Sequence, residues 1–142
     1  MVAWWASWHD RPWLYWVPIA VYAGLIFYLS SLPYPAKELP SLFGQLNDKL
    51  VHVVEYGVFA ILLYRACRWA AGAWGAERAW WLAIVGAVFY GLTDELHQSF
   101  VPPRMADHWD VVADALGAVL FSTLWRKVTE SPLMVRFNAT GR

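Results

Sequence analysis

Long uncharged stretches alternate with short polar connections along this chain. No side chain between Pro12 and Ala36 carries a charge. Residues 13–32 within that stretch have about the length that crosses a bilayer core. Pro18 falls inside it, where a membrane helix tolerates proline because its neighbours satisfy the freed backbone groups. No small-residue cleavage site follows, so the stretch reads as a retained anchor rather than a signal peptide. Three further apolar stretches cover residues 50–67, 79–96 and 111–125. His52 and Glu55 interrupt the first, Asp94 and Glu95 close the second, and Asp114 interrupts the third. Singly these are weak spans, but a polar face turned toward neighbouring helices removes the difficulty.

The connections fit that reading. Residues 33–47 contain Pro33, Pro35 and Pro40 in a polar mix and predict a loop. Residues 68–78 hold Gly72 and Gly75, a turn signal. Pro102-Pro103 stops the third helix. The pattern predicts an all-α integral membrane bundle of four transmembrane helices, over about residues 13–32, 49–68, 79–97 and 109–126. They form one domain over residues 1–130, followed by a polar tail at 131–142.

Composition sharpens the picture. Hydrophobic residues make up 59% of the chain and charged residues 15%, against about 25% charged in soluble domains. The chain holds 11 tryptophans. They crowd residues 4–16 and 69–81, as in the aromatic belts beside membrane spans. A formal net charge of zero gives no ground for nucleic-acid binding. Cys67 is the only cysteine, which excludes an internal disulfide and a thiolate zinc site and leaves a small packing residue. Four spans put the N-terminus, the 68–78 connection and the tail on one side. That side collects eight lysines and arginines against three on the other, which predicts cytoplasmic N- and C-termini.

With that topology the acids gather outside the cytoplasm. Seven of the 11 acidic residues, Asp48, Glu55, Asp94, Glu95, Asp107, Asp110 and Asp114, fall at the outer ends of three helices. Asp48, His52 and Glu55 share one helix face by their spacing, as do Asp107, Asp110 and Asp114. Gln98 lies one turn beyond Asp94. Glu55 lies roughly 10 Å deeper than Asp48 at about 1.5 Å per residue, so the faces describe a polar funnel. An acid at mid-span costs about 2.5–3.5 kcal/mol to insert. Lys49, Arg104 and the histidines are the available partners: Lys49 for Asp48 or as an interfacial anchor, and Arg104 for Glu95. Asp107 and Asp110 also suit the start of the fourth helix as caps. Intramembrane ionisable groups mark functional sites. The competing reading is a salt-bridge network that only fixes helix packing.

The segment Asp48-Lys49-Leu50-Val51-His52-Val53-Val54-Glu55-Tyr56 resembles the D-K-x-x-H-x-x-E-Y segment of the VanZ-like membrane family. The run from Gly91 to Phe100 is similar to its G-x-x-D-E-x-x-Q-x-F segment. Arg104 and Asp110 fit the arginine and aspartate that follow, Ala113 to Gly117 fits its small-residue end, and Ser30-Ser31-Leu32-Pro33 fits the end of its first helix. The likeness runs in order over residues 26–120. Two positions depart from it: Asp114 stands where the family often has asparagine, and Pro103 where glycine is frequent. The resemblance implies a small multi-pass protein of the bacterial inner membrane linked to glycopeptide antibiotics, notably teicoplanin resistance, with no defined biochemical activity.

Three functions are compatible with these residues. The first is a metal-assisted enzyme or binder acting on a lipid-linked cell-envelope precursor. Its catalytic candidates are Glu55, His52, Asp94 and Asp48, and its binding candidates are Lys49, Glu95, Gln98, Arg104, Asp110 and Asp114. A divalent metal ion would draw on Asp48, His52, Glu55, Asp94 and Asp110. Oxygen ligands alone suit magnesium or calcium, and a histidine turns the set toward zinc or manganese. Without metal, Glu55 would act as a general base with His52. The second is a non-catalytic protein that binds a glycan, a peptide stem or the antibiotic. The third is an oligomeric proton-coupled transporter or flippase, which buried acids also suit.

Overall fold

Small residues decide which helix faces turn inward. The computed structural model describes residues 11–33 and 48–131. Among them the chain is all-α, with α1 at Trp13–Ser30, α2 at Asp48–Ala70, α3 at Gly72–Gln98 and α4 at His108–Thr129. Trp4, Trp5, Trp8, Lys37 and the tail from residue 132 lie outside the described residues. On α3, Ala79, Ala83, Ala87 and Gly91 recur every four residues and are buried. Trp81, Val85, Phe89, Leu92 and Leu96 face outward from the same helix. This order inverts that of a soluble bundle and matches membrane helix packing, in which small residues let backbones approach while large apolar groups meet lipid.

The third helix begins seven residues before the expected 79. Gly72 alone makes the turn, with φ +69°, a conformation glycine adopts without a Cβ clash. Gly75 is buried within the helix that follows.

Helix α2 packs against all three others, and α1 rests mainly on α2. A Cβ at Gly117 on α4 would fall on the Val53 carbonyl oxygen of α2, so these two backbones meet at glycine distance. The main core joins Ile26, Tyr56, Phe59, Ala60, Ala87 and Ala118. A second cluster joins Tyr64, Cys67, Ala79 and Ala83, so Cys67 is a buried free thiol used for packing. Two tyrosines tie α1 down: Tyr22 donates to the Glu55 carbonyl at 3.3 Å, and Tyr90 donates to the Ala23 carbonyl at 2.7 Å.

Helices α1 and α2 are long and apolar enough to cross a membrane. α3 and α4 have 27 and 22 residues, but their polar positions lower their hydropathy.

Candidate functional site

Helices α2 and α4 run parallel and both begin at the end of the bundle where α3 finishes. Residues at the same height pair along their length, Lys49 with Asp107, His52 with Asp114 and Tyr64 with Glu130. The polar positions of three helices therefore converge at one end.

The rim is built first by capping. After Pro102-Pro103 the chain re-enters a helix at Asp107, whose side chain accepts from the Trp109 N–H at 2.9 Å. The Asp107 N–H donates to Glu95 Oε2 on α3 at 2.6 Å. Lys49 from α2 then donates to Asp107 at 2.5 Å and also to Asp110. The Lys49 hydrogen bond is the leading cause that holds the exposed Asp107 carboxyl below its ordinary 3.8.

One turn deeper, His52 Nδ1 lies 2.9 Å from Asp114 Oδ1, with both side chains buried. An ionised Asp114 can only accept, so Nδ1 carries a proton and donates to it. His52 Nε2 stands 3.8 Å from Asp110 Oδ2. Gly91 of α3 makes room for the pair. A Cβ there would lie 2.5 Å from Asp114 Oδ2 and 3.3 Å from the Tyr56 ring. Asp114 Oδ2, the Tyr56 hydroxyl and Glu95 Oε1 are buried without a hydrogen-bond partner among the described residues.

At the end of α3, Gln98 donates to Asp94 at 2.8 Å, both buried. Arg104 donates to the Ser30 carbonyl at 3.4 Å, where a cation complements the C-terminal end of α1. Ser31 and His97 share a hydrogen bond at 3.0 Å. Glu55 is half-buried, and the charges of His52, Asp94, Asp114 and Arg104 act on it.

Residues 4–130 match the VanZ/LLP1 family. The chain belongs to that family. No curated protein and no solved structure matches it. Membership, together with two apolar helices, makes this a VanZ/LLP1 membrane protein.

The expected residues of this VanZ/LLP1 chain do not form one undivided set. Asp48, His52 and Asp110 each offer a ligand atom, and these atoms lie within 4.8 Å of one another. Glu55 and Asp94 fall outside that group. Lys49 bridges to α4 rather than only to its neighbour Asp48. Glu95 takes a backbone N–H, and Arg104 takes a helix-end carbonyl, so the expected Glu95–Arg104 pair gives way to two backbone contacts. Sequence reasoning placed Asp107 as a cap and missed its bond to Lys49. Tyr56 was missed as well: its only signal was its place at the end of the first motif.

Proposed function

We propose that this VanZ/LLP1 chain crosses the bacterial cytoplasmic membrane four times, with both termini inside and the polar end of the bundle outside. That end binds a divalent cation through His52 Nε2, Asp48 and Asp110. Through the cation it binds the phosphate of a lipid-linked cell-envelope precursor. The observation that carries this reading is the His52–Asp114 bond. A metal-binding histidine characteristically donates its other ring nitrogen to a carboxylate, which fixes the tautomer and orients the ring. Here that arrangement directs Nε2 toward Asp110, beside Asp48. The cation would offset carboxylates that otherwise repel an anionic head group. Arg104 and the buried Gln98 contribute to ligand binding, while Glu55 and Asp94 supply carboxylates for proton transfer. A role in teicoplanin resistance follows if the precursor bound is one that the antibiotic also recognises.

A specific observation favours a second reading, in which the pocket binds its ligand without metal. The Lys49 ammonium already sits between Asp107 and Asp110 and neutralises part of the cluster.

Metal analysis of the purified protein separates the two. The first reading expects near-stoichiometric divalent metal, lost in His52→Gln and Asp110→Asn. In Asp114→Asn, affinity should fall by about 10–100-fold, the usual effect of removing an orienting partner. Wild-type protein that takes up no divalent metal, at any concentration tested, would select the second reading.

A further inference from the structure

The opposite end of the bundle carries a different polar arrangement, which the proposed function does not use. Glu130 follows the last turn of α4, and its carboxylate is held by two hydrogen-bond donors and a further guanidinium. Tyr64 donates to Oε1 at 2.9 Å, Arg126 Nε donates to Oε2 at 3.1 Å, and Arg68 Nε stands 3.8 Å from Oε1. Partial burial works to raise the Glu130 carboxyl, but the bonds from Arg126 and Tyr64 prevail and hold it below its ordinary 4.5. A cavity of about 280 Å³ opens beside these groups, walled by Trp80. A second cavity of about 290 Å³ adjoins it along Arg126, Lys127 and Thr123. The other acid at the mouth, Glu77, is paired with Arg78 at 3.2 Å. Arg68 and Arg126 therefore share one carboxylate, with Lys127 nearby in the second cavity.

We propose that this mouth is a binding site for a phosphate group, which takes the place of the Glu130 carboxylate between Arg68 and Arg126. The geometry already holds an anion there, on a phenol and two guanidiniums. Glu130 is displaceable because its side chain is partly open to solvent and lies just beyond the helix end. Guanidinium groups match phosphate oxygens with paired donors. Trp80 walls both cavities and supplies apolar surface for an acyl-bearing phosphate. Basic pockets between membrane helices hold anionic head groups by this combination. The phosphate comes from a lipid or from solution, and the experiment distinguishes them. The inference is independent of the chemistry at the other end.

The test is native mass spectrometry of the full chain in detergent, with phosphatidylglycerol, phosphatidylcholine or inorganic phosphate added. Phosphatidylglycerol should be retained over phosphatidylcholine by about thirtyfold, the order expected of two basic groups near an anionic head group. The variant R68Q/R126Q should lose that preference. E130Q should strengthen retention, because the competing carboxylate is gone. If inorganic phosphate is retained instead, with the same response to the variants, the source is free phosphate and the site stands. Equal retention of both lipids without phosphate binding, or an unchanged preference in R68Q/R126Q, would overturn the proposal. Thermal melting of each variant confirms folding, and E130Q gives a reading in the opposite direction from R68Q/R126Q.

Discussion

Polar groups join α2 to α4 at both ends of the bundle, and the two junctions are built differently. At the end where both helices begin, His52 meets Asp114 at 2.9 Å with both side chains sealed from solvent. At the other end, Arg68, Arg126 and Tyr64 surround a Glu130 whose side chain is 42% exposed. The first junction sits beneath a third helix, with Gly91 of α3 against the Asp114 carboxylate. The second opens onto a cavity. Similar chemistry therefore has different consequences. A buried pair holds its partners through the penalty of leaving either one alone. An exposed pair is screened and exchangeable. The first can orient a ring nitrogen, and the second can release its anion.

Breaking the buried junction has the largest expected effect. Asp114→Ala leaves His52 without its partner and should cost about 3–5 kcal/mol in a detergent unfolding measurement. The double variant His52→Leu/Asp114→Leu should cost less than Asp114→Ala, since it removes both polar groups together. Equal or greater loss in the double variant would show that the pair itself, rather than the orphaned partner, supplies the stability.

Lys49→Met tests the rim between these extremes. Its side chain is 40% exposed, so the loss should be below about 1.5 kcal/mol and should shrink in high salt. Its pH signature is more informative. Asp107 is depressed in the folded chain below its ordinary 3.8. Its contribution is therefore present above that ordinary value and is lost as pH falls through the lower folded one. Unfolding midpoints followed from about pH 5 to about pH 2 should fall less steeply in Lys49→Met than in the parent chain. Parallel curves would mean that Lys49 does not set Asp107.

Glu130→Gln should have the smallest effect on stability, about 0–1 kcal/mol, vanishing at high ionic strength. A loss as large as that of Asp114→Ala would erase the distinction between the two ends.

The four helices were legible because length and apolar content are local properties. Their ends were less so. Gly72 and Gly75 both read as turn signals, yet only Gly72 turns the chain, while Gly75 is buried inside α3. Helical spacing placed His52 and Glu55 near one face, and Asp110 and Asp114 on another. It could not say which residue meets which across helices, because that depends on rotation and height. The parallel alignment of α2 and α4 decided those pairings. It gave Lys49 to Asp107 and Asp110, His52 to Asp114, and left Asp48 exposed at the rim. Glu95 and Arg104 complemented each other by charge. A capping N–H and a helix-end carbonyl, both fixed by the fold, claimed them instead.

The parallel arrangement of α2 and α4 also bears on how the chain is made. Lys49 and Asp107 are separated by 58 residues, and His52 and Asp114 by 62. At ribosomal rates of about 5–20 residues per second, the second half of each pair follows the first by roughly 3–12 seconds. Over that interval α2 is made while its carboxylate partners are still unsynthesised. A nascent chain that stops before α4 carries Lys49 and His52 with none of the α4 carboxylates that hold them in the finished protein. The buried junction can form only after α4 is made, which makes His52–Asp114 pairing a marker that synthesis has passed that helix.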